Sequence, residues 1–190
     1  MHNKAVYQLV LAGVLCAIGL SVPLFMPKIV LGPMSFTLGS HVAIFLAMFI
    51  SPKVALAVCL GTTLGFFLTT PIIIALRAAS HIIFALLGSW ILLGRPTIMD
   101  KPLSALGMNL FLGLIHSAAE VLVVTPFFIN GSMFKPEQLA NGYIMSVLVL
   151  VGLGTLVHSF VDCSLSLAVW KLVKSSLPSV ALLQDYKEAK

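Results

Sequence analysis

Hydrophobic residues run along this chain in long blocks, without the strict alternation of a half-buried strand or the polar stripe of a soluble helix. Breaks at proline, glycine and charge divide the blocks into six segments, at about residues 5–26, 39–51, 53–70, 72–93, 104–128 and 143–172. A helix of about 20 residues crosses ~30 Å of hydrocarbon, and most of the segments reach that length. The second is short and is expected to tilt or to recruit part of the loop before it. The last is long enough to run on into an amphipathic tail. Ser51-Pro52-Lys53 reads as a tight hairpin between segments two and three. The first block lacks a small-residue cleavage site and continues to Met26, so it reads as a first span and not as a cleaved signal. The pattern predicts an all-α, polytopic membrane protein. A single integral membrane domain over residues 1–190 would contain six transmembrane helices.

Composition narrows this further. The 190 residues are 59% hydrophobic and 9% charged, whereas soluble domains run near 45–50% and about 25%. A disordered chain, a disulfide scaffold and a nucleic-acid binder are excluded. Cys16, Cys59 and Cys163 all lie within apolar stretches, without metal spacing, and read as small packing residues.

The placement of lysine and arginine orients the bundle. With the N-terminus inside, the inner loops and ends hold Lys4, Lys53, Arg95, Lys101, Lys171, Lys174, Lys187 and Lys190, and the outer loops only Lys28 and Lys135. Both termini are therefore assigned to the cytoplasm. The outer loops are then 27–38, the turn Thr69-Thr70-Pro71, and 128–142. Loop 27–38 is apolar and punctuated by proline and glycine, and its side chains gain by burial; it is expected to fold as a lid over a pocket. Loop 128–142 is polar, with Asn130 and Asn141 each placed before a glycine as turn residues.

Charge at membrane depth is costly and marks cavities or partners. Here it comes in i,i+4 pairs, each on one helical face: Arg77 with His81, His116 with Glu120, and His158 with Asp162. His41 opens segment two. Counting at ~1.5 Å per residue puts Arg77 about 9 Å below the outer surface, with Glu120 at similar depth. Arg77, His81, His41 and Glu120 are thus expected to converge under the outer loops. Arg77 would either present its guanidinium to a small carboxylate ligand or pair structurally with Glu120. His158 and Asp162 count as deeper, toward the cytoplasm, and read as a structural pair. A metal is not expected, because HExxH is absent and the pairs fall at different depths. No cofactor is implied. No nucleophile motif or P-loop occurs, so the chain is not expected to be an enzyme, and active transport would draw on an ion gradient or a partner.

Small residues make a further pattern. Ala12 with Cys16 and Gly13 with Ala17 form two overlapping small-xxx-small pairs in the first segment, the kind of face on which helices approach closely in lipid.

These features together identify a family. The chain resembles the substrate-binding S components of energy-coupling factor (ECF) vitamin transporters over essentially its whole length. The likeness rests on Gly13-xxx-Ala17, where the family tends to have AxxxA, on the apolar first outer loop, and on SFTLGSHVAIFLAMFISPKVALAVCLGTTLGFF (35–67) followed by LRAASHIIFALLG (76–88). It implies a protein of the bacterial plasma membrane that binds a vitamin tightly near the outer face. The partners it implies are a transmembrane T component and two cytoplasmic ATP-binding subunits that hydrolyse ATP. Carried over by position, 30–37 would be the lid, and Arg77, His81, His41, Glu120, Phe36 and Asn130 the vitamin-binding candidates. Ala12, Gly13, Cys16 and Ala17 would couple to the T component. The few aromatics of the loops argue against a flavin, and the buried arginine favours a small carboxylate. Block 35–88 looks most like the pantothenate-type members, with the niacin type next. Two other classes remain open: a proton-coupled secondary carrier working through Glu120 or Asp162, and a ligand-free assembly subunit.

Overall fold

The computed structural model describes residues 4–31 and 34–177. Lys187 and Lys190 of the orientation count, and Gly32 and Pro33 of the expected lid, lie outside the described residues. Helix α1 spans Lys4–Phe25 and leads into a two-stranded hairpin, β1 (Ile29–Leu31) and β2 (Met34–Phe36). Then come α2 (Val42–Ile50), α3 (Pro52–Thr69), α4 (Ile72–Gly94), α5 (Pro102–Ile129) and the short α6 (Pro136–Ala140). A π-helical segment, Ile144–Leu153, runs directly into α7 (Gly154–Val173) and a final 3₁₀ turn, Lys174–Ser176.

Helices α1, α3, α4 and α5 and the continuous stretch Ile144–Ser176 are each long and apolar enough to cross a membrane. The expected second span is the exception in length. Nine residues of α2 rise only about 13–14 Å, and seven of the nine are buried. This helix sits in the centre of the bundle against α1, α3, α4 and α7. The hairpin and residues 37–41 lead into the start of α2, where Thr37 and His41 are buried.

Local chemistry sets the helix ends. Ser51 is extended and its side chain accepts a hydrogen bond from Val54 N at 3.2 Å, with Pro52 opening α3 where a missing N–H costs nothing. Pro102 does the same for α5. Asn130 and Asn141 end α5 and α6, each followed by a glycine with positive φ (66° and 75°), as the turn reading expected.

Side chains on the outer surface are largely apolar, as lipid contact demands: Leu9, Leu68, Leu122 and Leu172 are all exposed. The interior joins Phe45 to Phe84 at 5.1 Å between centroids, and Gly88 admits the Met48 side chain, so α2 and α4 nearly touch. A buried hydroxyl helps there, since Ser89 donates to Met48 O at 3.1 Å. All three cysteines are free; Cys59 and Cys163 are fully buried packing residues.

The apolar outer loop does fold inward. Strands β1 and β2 pair antiparallel, with Ile29 opposite Phe36 and Val30 opposite Ser35. Met34 is buried against α7, where Gly154 has no side chain: a Cβ there would run into the Met34 sulfur. Replacing Gly154 by leucine should therefore unseat the hairpin while leaving the helices packed. In a cysteine-free background, a Ser35→Cys reporter should react faster with a water-soluble maleimide in Gly154→Leu than in the parent. Equal rates in the two proteins would show that Met34 does not anchor the hairpin.

Candidate functional site

The polar residues at depth gather around one cavity of about 120 Å³ between the hairpin and the helices. Its roof is Met34, Ser35, Phe36 and Thr37; Arg77, His81, Glu120, Thr155, His41 and His158 form the polar part of its wall; Phe66, Ile74 and Ile44 supply apolar surface. Lys28, exposed on the outside, stands at its mouth.

Glu120, on α5, is the hub of one half. Arg77 Nε and Nη2 donate to its Oε2 at 3.1 and 2.7 Å, and Thr155 Oγ1 donates to the same oxygen at 2.7 Å. The other oxygen, Oε1, faces two imidazoles: His81 Nε2 and His116 Nε2 each lie 3.5 Å from it. The i,i+4 spacing of His116 and Glu120 puts both on the inner face of α5. The guanidinium commits Nε and one terminal nitrogen to Glu120 and still lines the cavity. Arg77 and Glu120 thus both pair with each other and face the same space.

Asp162, on α7 and fully buried, is the hub of the other half. It accepts from the backbone N–H groups of Gly39 (2.8 Å) and His41 (2.9 Å), and His41 Nδ1 lies 3.1 Å from its Oδ2. Gly39 holds φ at +82°, a conformation that favours glycine and turns its N–H toward the carboxylate. His158 Nε2 is 3.3 Å from Oδ2 and 3.0 Å from Ser40 Oγ. These bonds fasten the foot of the hairpin loop to α7. The His41 ring lies between the halves, 4.7–4.8 Å centroid to centroid from those of His81, His116 and His158.

Four of the expected site residues, Arg77, His81, His41 and Glu120, therefore converge, and Phe36 joins them, 5.1 Å from His158. Asn130 does not: it is the exposed cap of α5, away from the cavity. His158 and Asp162 were expected deeper and apart, and here the depth count fails. It assumed an α-helical rise from residue 143, whereas Ile144–Leu153 is π-helical, with more residues per turn and less advance per residue. The ionisable pairs, expected at different depths, also come together. His41, His81, His116 and Glu120 offer ligand atoms all within 4.8 Å of one another, as do His41, His158 and Asp162. Thr155, Ser40, Met34 and Lys28 carried no signal in the sequence beyond lying near the paired residues or in the apolar loop.

The small-residue face of α1 also resolves. Ala12 is buried, and Cys16 packs against the Ala57 and Val58 carbonyls beside Gly61. Gly13 and Ala17 are exposed, and a Cβ on Gly13 would meet nothing within 4 Å. Ala12 and Cys16 thus serve internal packing.

The chain is 36% identical over 175 residues to the niacin transporter NiaX of Lactococcus lactis subsp. cremoris (strain MG1363), a match covering 91% of this chain and 77% of the relative. No family model matches the chain, and no solved structure does.

The buried Arg77–Glu120 pair has a testable consequence for stability. Removing one partner leaves an uncompensated buried charge, at about 3–5 kcal/mol, whereas neutralising both costs far less. Arg77→Ala is expected to lower Tm in detergent by on the order of 10 °C. The double change Arg77→Gln, Glu120→Gln should recover most of that loss. Equal losses in the two proteins would mean that the pair carries no net electrostatic coupling.

Proposed function

The chain belongs to the family of that niacin transporter, the S components of ECF vitamin transporters, and from this premise we propose that it binds nicotinate in the cavity beneath the hairpin. It is a multi-pass protein of the cell membrane. The observation that carries the reading is the small cavity with Arg77 in its wall. An apolar cavity of about 150 Å³ accepts benzene, so a space of about 120 Å³ suits one six-membered ring and is too small for a flavin. The carboxylate would meet Arg77, whose fork matches it and which is the cationic side chain at that depth among the described residues. The ring would lie between Phe36 and Met34 of the hairpin and Phe66 of α3, with Lys28 at the entrance. Pantothenate, placed first on the sequence alone, is the poorer occupant: its branched chain and amide ask for more length than a single ring. The likeness to a protein named for niacin supports the same order.

The formed cavity also weighs against a ligand-free assembly subunit, since the charges at depth line a space instead of closing it. As an S component the chain binds its vitamin without hydrolysing ATP. We assign energy to a T component with two ATP-binding subunits, docked on the exposed Gly13 and Ala17 of α1.

Two measurements test these assignments. Equilibrium binding to the purified chain in detergent, without partners or ATP, should show nicotinate bound well ahead of nicotinamide and pantothenate. The Arg77→Gln, Glu120→Gln protein should bind nicotinate roughly 10- to 100-fold more weakly, the loss expected for a hydrogen bond to a charged group worth about 1.5–3 kcal/mol. Tighter binding of pantothenate, or of the uncharged amide, would sink the ligand assignment. Separately, Gly13→Trp and Ala17→Trp should each abolish co-purification with a T component and leave nicotinate binding intact. Survival of the complex in both would move the docking face elsewhere.

A further inference from the structure

We propose that His41, His81, His116 and Glu120 form a binding site for one divalent transition-metal ion of the zinc class, in the polar wall of the cavity. The first support is spacing. Tetrahedral bonds of about 2.0–2.2 Å place neighbouring ligand atoms roughly 3.3–3.5 Å apart. Glu120 Oε1 lies 3.5 Å from His81 Nε2 and 3.5 Å from His116 Nε2, and the ligand atoms of all four residues fall within 4.8 Å of one another. As hydrogen bonds these separations are long, because N–H···O contacts cluster at about 2.7–3.2 Å.

The second support is what the imidazoles lack. His116 is fully buried, yet neither of its ring nitrogens has a hydrogen-bond partner. A buried nitrogen without a partner is costly and calls for an unseen one. A cation between the rings would take the lone pair of His116 Nε2 and join three imidazoles that otherwise only pack edge to face, at 4.7–4.8 Å between centroids.

The third support is the arrangement around the set. Metal-bound histidine usually gives its second nitrogen to a carboxylate, which fixes the ring and its tautomer. His41 Nδ1 lies 3.1 Å from Asp162 Oδ2, leaving Nε2 as the ligand atom. Arg77 and Thr155 both bond Oε2 of Glu120 and leave Oε1 turned to the histidines. Charge points the same way: of two buried carboxylates, Glu120 is paired with the Arg77 guanidinium and Asp162 has no arginine or lysine partner among the described residues, and Lys28 stands out at the mouth. The remaining negative charge favours a cation at this depth. With three imidazoles and one carboxylate the set is complete for tetrahedral zinc. Bound there, the ion would tie the start of α2 to α4 and α5, holding the foot of the hairpin against the cavity wall. None of these ligands depends on which vitamin occupies the cavity.

The test uses untagged full-length protein, so that no affinity tag contributes imidazole. Protein purified in detergent without chelator should carry about one zinc per chain by elemental analysis. After stripping, it should take up Zn²⁺, and Co²⁺ should produce the intense visible d–d absorption of a four-coordinate site. Asp162→Asn, one bond removed from the ion, should weaken zinc affinity about 10- to 100-fold, and His116→Ala should abolish the cobalt spectrum. Stripped wild-type protein that binds neither ion overturns the proposal, whatever the variants do. So does a His116→Ala protein that remains monodisperse and keeps the parental cobalt spectrum.

Discussion

A carboxylate in the membrane-embedded part of a protein must find its donors within the fold, because hydrocarbon offers none. This chain has two, Glu120 and Asp162, and the architecture of its outer half follows from how they are satisfied. Glu120 draws Arg77 from α4 and Thr155 from α7 onto one oxygen. Asp162 draws in the backbone of residues 39–41. The first set closes α4, α5 and α7 around a common centre. The second ends the descent of the outer loop at a fixed point, which is where α2 begins. A nine-residue helix with no polar anchor would have no reason to start in mid-membrane; His41 and Gly39 supply the anchor.

The bundle was largely legible because lipid makes an unusually simple demand. Block length and charge placed α1, α3, α4 and α5 within a residue or two of their ends, and Ser51-Pro52 and the two Asn-Gly steps marked turns that the backbone adopts. The convergence of Arg77, His81, His41 and Glu120 was legible for a related reason: polar side chains at i,i+4 in an apolar helix can only face inward. What was not legible was anything that depends on departures from ideal helix geometry. Nothing in IMSVLVLVGL announces a π-helix; in the fold Ser117 donates to the Gly152 carbonyl at 2.6 Å, and Val147 and Val151 pack with Val124 and Phe134. That irregularity shortens the rise to His158 and Asp162, which meet residues 39–41 where the outer loop ends. Asn130 failed for the opposite reason: a polar residue in an outer loop is as well explained by a helix end as by a ligand.

The overlap of Ala12/Cys16 with Gly13/Ala17 shows how a motif can be real and still ambiguous. Each pair satisfies the small-xxx-small pattern, and the two point about 100° apart on the helix. Only the position of α3 decides which is interior. Gly61 of α3 accepts the Cys16 side chain, so that face is occupied. The other is left bare, flanked by the exposed Leu9 and Val14.

The cavity and the exposed Gly13/Ala17 face of α1 are separate parts of the molecule. The polar groups fastening the cavity belong to residues 39–41, α4, α5 and α7, whereas Gly13 and Ala17 of α1 are exposed and only 17% of that helix's most apolar stretch is buried. Helix α1 touches the cavity through Gly19, Pro23 and Leu24 at its outer end, close to where the hairpin begins. A partner seated along Gly13 and Ala17 would press on the lower part of the same helix. Any shift of α1 against α3 must then be felt at Gly19, where a Cβ would already crowd Thr62 of α3 at 2.9 Å, and from there at the root of the lid. One helix, α1, thus carries the exposed Gly13/Ala17 face and, through Gly19, Pro23 and Leu24, part of the cavity wall.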